Sequence, residues 1–391
     1  MKPTNIVVLA VLAAFLVVLI AQLRAPERIE VTQVGPQGEF EQATQSSPQG
    51  RFDPAVGALG TDSFQRQLVL SELTRRWANL GLPTDLPQAV LDGRLGSLTV
   101  QLDDAAEAGN HQANFVLAEL DTFCEDVRAS RDRDAEALIV AAQALPPEDT
   151  AHVRTAAGWV TWIDEQLFLQ CRDAIFDSIA IAARIEAAAS QGHAPSQWRH
   201  GLMETDPAQS YRDVLDAALA GFLAAELTLA NYFGPNRLPL FAGQKVLGSR
   251  SFWLQQAAEQ APNAKALLGE CYRLGCDAAA PAPTRAAEHF VDAARSGVRL
   301  AHRGLSELAE DEPQVVSRVR AYAWRSFSQR LNELGCYGLE YVRYFIEDSR
   351  ELPVLRGRLG AARQKDAEQL ADQIWTQYGD EARSALGCAA A

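Results

Sequence analysis

The chain has 391 residues, 48% of them hydrophobic and 8% aromatic, enough for one large or two ordinary domains, and its abundant Ala and Leu favour helix over sheet. Its 36 basic residues, nearly all Arg, face 50 acidic ones for a net charge of −14, which excludes nucleic acid as a partner of the molecule as a whole.

Residues 1–24 carry no charge between Lys2 and Arg24. At 1.5 Å per residue such a run crosses a bilayer core of roughly 30 Å. It reads as an uncleaved anchor rather than a cleavable export signal, because the best cleavage position, Leu19-Ile20-Ala21, has a bulky residue where a small one is needed. No Cys follows to take a lipid. The basic residues on the two sides, Lys2 against Arg24 and Arg28, nearly cancel, and the very short leading tail favours export of the rest. The expectation is a single-pass bacterial inner-membrane protein with its folded domain in the periplasm. Six cysteines agree with an oxidising compartment, and Cys124 and Cys171 read equally well as small buried hydrophobes.

Residues 25–60 mix Pro, Gly, Gln and Ser without apolar periodicity, the composition of a flexible tether. From Thr61 helical signals follow closely: Asp62-Ser63 can cap a helix that Gly81 and Pro83 end, and no alternating strand pattern of useful length follows. A domain over 61–391 is therefore all-α.

A repeat emerges when segments are aligned. "AAEAGNHQANFVLAEL" starts at Ala105, "AASQGHAPSQWRHGLM" at Ala188, "AALAGFLAAELTLANYF" at Ala217, "AAEQAPNAKALLGECYRLG" at Ala257 and "AARSGVRLAHRGLSELA" at Ala293. The hinge positions Gly109, Gly192, Gly221, Ala261 and Gly297 are separated by 83, 29, 40 and 36 residues, a period near ~35 with one long gap. Paired alanines let a neighbouring helix approach, Gly permits the left-handed turn, and the following small residue sits where helices cross. Leu117, Leu229, Leu268 and Leu305 are expected to fill the layers between. His193 and His200 then decorate a hinge and a helix face.

The pattern, clearest in "AKALLGECYRLG" and next in "GHAPSQWRHGLM", resembles the Sel-one-like repeat family, relatives of the tetratricopeptide repeats. "VSRVRAYAWRSFSQRL", with Ala321-Tyr322-Ala323-Trp324, and "AEQLADQIWTQY", ending near Trp375, resemble that family's terminal unit. The resemblance covers about residues 95–378, with the clearest repeats over 95–310, capping helices over 313–388 and a poor fit between 125 and 180, where an insertion or non-repeat helix is expected. It implies a right-handed superhelical solenoid of antiparallel helix pairs and, for function, an adaptor. Some family members bridge each helix pair through cysteines seven apart. Cys271 and Cys276, five apart on opposed faces, depart from that scheme, so Cys276 is expected to pair elsewhere if at all. Cys336 with Cys388 would staple the terminal helices.

No metal-binding spacing, nucleophile elbow, phosphate loop or dinucleotide fingerprint occurs, and the six histidines are scattered singly, so no catalytic, metal or cofactor residue is assigned. Charge is uneven: Asp103 to Glu136 is acidic, whereas Arg318 to Lys365 carries ten basic residues against five acids, with aromatics at helical spacing among them. Arg318, Arg325, Tyr341, Arg343 and Tyr344 are the candidate partner-binding set, since Tyr and Arg dominate interface hot spots. The resulting expectation is a membrane-anchored scaffold holding a protein partner in the cell envelope, without a cofactor. Two alternatives stay open: an envelope hydrolase acting on peptidoglycan or a β-lactam, which needs several of Glu186, His193, His200 and Asp213 to converge in a cleft, and a polysaccharide-binding module, which needs a row of exposed aromatic rings.

Overall fold

The computed structural model describes residues 63–130, 145–233, 243–277 and 279–388, together with Val140, Gln143 and Phe241. The compact unit spanning 56–391 contains all of them; the unit 1–55, and with it the expected anchor and most of the tether, lies outside the described residues.

The described residues form sixteen α-helices: α1 (Ser63–Trp77), α2 (Leu86–Leu91), α3 (Leu95–Glu107), α4 (His111–Ser130), α5 (Pro147–Asp173), α6 (Ser178–Ser190), α7 (Ala194–Met203), α8 (Pro207–Leu219), α9 (Leu223–Tyr232), α10 (Arg250–Ala258), α11 (Pro262–Leu274), α12 (Pro283–Arg295), α13 (Arg299–Asp311), α14 (Arg318–Glu333), α15 (Tyr341–Gly357) and α16 (Ala361–Ala385). A 3-10 turn at Gly338–Glu340 leads into α15. Among the described residues no strand occurs.

Two corrections concern the membrane. No helix among the described residues is long and apolar enough to cross a bilayer. The long ones, α5 and α16, carry charges along their whole length, from Glu148 to Asp173 and from Arg363 to Arg383, which a hydrocarbon core would not accommodate. The described residues thus form an all-helical solenoid that supplies no membrane-crossing helix, which corrects the fold class with its leading transmembrane helix and the single-pass inner-membrane placement expected from the sequence. Residues 1–24 themselves lie outside the described residues.

The repeat letters have a common local cause. At four hinges the glycine takes a left-handed conformation, with φ of 92° at Gly109, 81° at Gly192, 79° at Gly221 and 76° at Gly297. At each, the glycine N–H donates to the second alanine of the pair, and the next residue's N–H donates to the first. Gly109 to Ala106 and Asn110 to Ala105, both 3.0 Å, are one instance; Gly297 to Ala294 at 3.0 Å and Val298 to Ala293 at 3.3 Å are another. This double closure satisfies carbonyls the helix end would otherwise orphan. Ala261 instead adopts an extended φ of −137°, and Pro262 starts the next helix.

Small residues also set the helix spacing. The ring of Phe290, on α12, lies between Gly269 of α11 and Gly304 of α13. A Cβ on Gly269 would come 2.7 Å from that ring, and one on Gly304 would overlap it. Gly201 of α7 approaches α8 in the same way, a Cβ there meeting Val214 at 2.8 Å. Leu117, Leu229, Leu268 and Leu305 are all buried.

The stack does not end freely. α12 packs on α13, α13 on α14 and α14 on both α15 and α16, and α15 then packs on α5. The long helix α5, within the stretch where the repeat pattern fails, also packs on α1, α3 and α4. Tyr341, Val342 and Ile346 of α15 share one apolar core with Leu68, Leu73, Val153 and Ile163. Polar contacts seal the joint: Gln67 donates to the Gly387 carbonyl at 3.2 Å, the Leu339 N–H donates to Glu72 at 3.3 Å, and His152 Nε2 lies 2.7 Å from the Tyr341 hydroxyl. The C-terminal cap is covered by the first helix because both present apolar faces that water would otherwise wet.

All six cysteines are paired: Cys124 with Cys171, Cys271 with Cys276 and Cys336 with Cys388. The second pair corrects the expectation that Cys276 bonds elsewhere. α11 stops at Leu274 and Gly275, at φ 79°, reverses the chain, so Cys276 is off the helix and returns to Cys271 with a Cα–Cα distance of 5.1 Å.

The Phe290 contact predicts a specific coupling. Gly304→Ala should destabilise the chain by about 1–3 kcal/mol through overpacking, and Phe290→Leu in the same chain should recover part of that loss. Urea denaturation of the two single variants and the double variant checks it; strictly additive losses would show that the ring and the glycine do not limit one another.

Candidate functional site

The charged stretch from Arg318 to Lys365 folds into α14, α15 and the start of α16, and one buried carboxylate ties α14 and α15 to α13. Asp348 on α15 is 3% exposed and accepts from Arg299 of α13 through both oxygens, at 2.7 and 2.8 Å. Arg325 of α14, 1% exposed, places its Nε 3.1 Å from the same carboxylate, out of hydrogen-bond alignment, and its Nη2 2.7 Å from Glu351. Arg299 also donates to Ser328 at 3.0 Å and lies over the Tyr344 ring, 4.5 Å from its centroid. Tyr337 completes the network, its hydroxyl 3.1 Å from Ser328 and donating to the Gly297 carbonyl at 2.9 Å.

The electrostatics follow from burial. Desolvation opposes the charge on Arg299, but the hydrogen bonds and charge of Asp348 outweigh it and hold its pKa above the ordinary arginine value. Arg325, desolvated and beside Arg299, is pulled below that value. His302 is pushed down to about 3 by burial and by Arg299, so it stays neutral, accepting no proton at ordinary pH. Burial, then the charge of Glu333, raises Tyr341 to about 12.

Above this floor lies a groove of about 490 Å³ between α13 and α15. Arg303, Glu307, Glu310, Arg350, Glu351 and Val354 are among its lining residues. Val354 is 51% exposed and follows Pro353, which interrupts the backbone ladder of α15. Most of the lining charges are paired, Arg303 with Glu307 at 2.8 Å and Arg358 with Glu310 at 2.9 Å. The groove is therefore preformed and mixed in charge, with an apolar strip.

Of the five residues expected to bind a partner, Arg325 and Tyr341 lie in the interior, Tyr344 is half-buried beneath Arg299, and Arg318 and Arg343 are exposed. Arg343 pairs with Glu340, in the turn just ahead of its helix, at 3.5 Å and with Glu347 of that helix at 3.3 Å. The groove residues Arg303, Glu307 and Val354 were missed by sequence reasoning: nothing in a single sequence places α13 beside α15 across an intervening helix.

The hydrolase constellation is assembled only in part. His200 Nδ1 lies 2.7 Å from Asp213, whose other oxygen accepts from Gln209 at 2.8 Å, so that pair staples α7 to α8. His193 instead lies 2.8 Å from the Ser196 hydroxyl, and Glu186 is exposed on α6 with no hydrogen bond to either histidine among the described residues. Among the described residues no group of three or more His, Cys, Asp or Glu is placed to hold a metal. Phe252 is the one exposed aromatic side chain among them, rather than one of a row.

A further titratable group sits in α9. Glu226 is 4% exposed, accepts from Gln260 at 3.2 Å, and is raised to about 7 by burial and then by the charge of Glu259.

No family model matches the chain, and no curated protein does. Solved structures it is similar to include a Sel1 repeat protein and a protein displaying an SLR fold. One, from Oxalobacter formigenes, is 18% identical over 59% of this chain and 98% of its own, with a TM-score of 0.36. A second, a protective antigen present in uropathogenic Escherichia coli strains and displaying an SLR fold, is 16% identical over 82% of this chain and 83% of its own, with a TM-score of 0.31.

Two predictions follow from the charges. Asp348→Asn should cost about 3–5 kcal/mol, because two buried guanidiniums lose the one buried carboxylate they share, whereas Arg343→Ala should cost about 1 kcal/mol or less, its pairs being exposed; chemical denaturation separates the two. For Glu226, the folded chain holds a proton between pH 4.5 and about 7 that the unfolded chain has released, so stability is highest below that window and falls as pH rises through it. Glu226→Gln should therefore raise the thermal midpoint at about pH 8 and leave it unchanged near pH 4; an equal shift at both would assign the effect to packing.

Proposed function

We propose that this chain is a helical-repeat scaffold that captures a protein partner along the groove between α13 and α15. The observation that carries the reading is the groove itself: an open channel of about 490 Å³, walled by two helices locked to α14 through Asp348, with Val354 exposed between paired charges. A rigid floor lowers the ordering cost of binding, because the receptor side chains are already held. An exposed apolar residue ringed by charges is the anatomy of a small interface core with a polar rim. Three cystines persist in an oxidising compartment, and a partner in the cell envelope fits that chemistry.

The mechanism is equilibrium capture. The partner's apolar side chain would cover Val354 and Leu355 while its polar groups meet Arg303, Glu307 and Arg350 on the rim. Rim charges steer encounter and fix register more than they add affinity.

Photo-crosslinking residues placed at Val354 and Arg303 should each yield the same discrete protein adduct in intact cells, and one placed at Glu186 on α6 should yield none. Val354→Asp should abolish the adduct from Arg303 while leaving the thermal midpoint unchanged. Adducts of equal yield from all three positions, or none containing protein, would remove the groove as the interface.

A further inference from the structure

Arg358 also lines a second cavity of about 490 Å³, whose chemistry differs from that of the groove. The cavity lies near the starts of α14 and α16: Ser317 and Arg318 come from the first, Arg363 and Asp366 from the second, and Arg358 and Leu359 close it just past the end of α15.

 Leu359 supplies its apolar wall. In a chain of net charge −14, three guanidiniums converging on one cavity are out of character. Arg318 and Arg358 share a single carboxylate, Glu310, at 3.6 and 2.9 Å, and Arg363 is exposed with no charged partner among the described residues. Each guanidinium has five N–H donors, so one shared carboxylate leaves most of them without a protein acceptor. The first turns of α14 and of the 25-residue α16 add the partial positive charge of their N-terminal ends. Asp366 is the one acidic side chain in the lining.

We propose that this cavity is the specificity pocket for an acidic segment of the partner, one that presents neighbouring Asp or Glu side chains. The inference rests on the reading of the adjoining groove as the partner's site. A cavity of about 490 Å³ has room for a segment of chain as well as for a lone ion. Planar guanidiniums grip carboxylates through two parallel hydrogen bonds. An incoming carboxylate takes over donors that Glu310 now holds in part, so Glu310 is an internal competitor for the same arginines.

The test uses the full chain and a fluorescein-labelled hexaglutamate peptide, followed by anisotropy, with hexalysine as the control peptide. Hexaglutamate should bind and hexalysine should not, and raising ionic strength from about 0.05 to about 0.2 M should weaken the complex. Arg363→Glu should weaken binding about tenfold or more, a loss of about 1.4 kcal/mol or greater. Glu310→Gln should tighten it, and Arg212→Glu on α8, with the same change in net charge, should leave it as it was. Failure of hexaglutamate to bind, an equal loss in Arg363→Glu and Arg212→Glu, or full displacement by millimolar inorganic phosphate would each overturn the proposal, the last by assigning the cavity to a small oxyanion. If hexaglutamate fails while crosslinking from Val354 still yields its adduct, the groove reading stands and the acidic specificity alone is lost.

Discussion

A single carboxylate, Asp348, holds together the helices that wall the proposed partner groove. Two arginines from two other helices converge on it, in a region from which water is excluded. An unpaired charge there would be very costly, so α13, α14 and α15 are constrained to keep one relative arrangement. The groove inherits its shape from that constraint. Its walls are the outward faces of α13 and α15, and Arg325 reaches from the buried side to Glu351, which lines the groove.

The rest of the stack is held by closeness rather than charge. Paired alanines and glycines remove side-chain bulk where helices cross, and a large ring such as Phe290 fills the space between two layers at once. Such contacts are short-ranged, so each layer fixes only the next. The closure of the last helices onto α1 and α5 changes that local character. It buries the cap's apolar face against the start of the domain, and the Cys336–Cys388 bond ties the turn before α15 to the end of α16. A long-range joint of this kind makes the two ends of the domain depend on each other's folding.

These features divide the labour between core and surface. Of the aromatic residues in the C-terminal charged stretch, Trp324, Phe327, Tyr337 and Tyr341 are all buried in the packing of the cap. What remains at the surface is a channel of paired charges and exposed Val354, and a second cavity, sharing Arg358 with it, whose arginines outnumber their acidic partners. Binding chemistry of this sort needs no catalytic group; it works through shape, register and charge sign.

From the sequence alone, helical content and the hinge positions were legible, because the requirement of a left-handed residue after a helix is local and written in one or two letters, Ala-Ala-x-x-Gly. The buried role of Leu117, Leu229, Leu268 and Leu305 was legible for the same reason, since helical periodicity assigns a face without knowing what covers it. The pairing of Cys271 with Cys276 was not, because a helical reading carried the chain one turn too far past Gly275. Nor was the interior position of Arg325 and Tyr341 legible: a charged or phenolic side chain looks superficial until the residue that neutralises or covers it, Asp348 or α5, is brought from elsewhere in the chain. Local hydrogen bonding determined the repeat; only the tertiary structure decided which charges were spent inside the fold and which were left at the surface, because burial is a property of neighbours that sequence separation does not reveal.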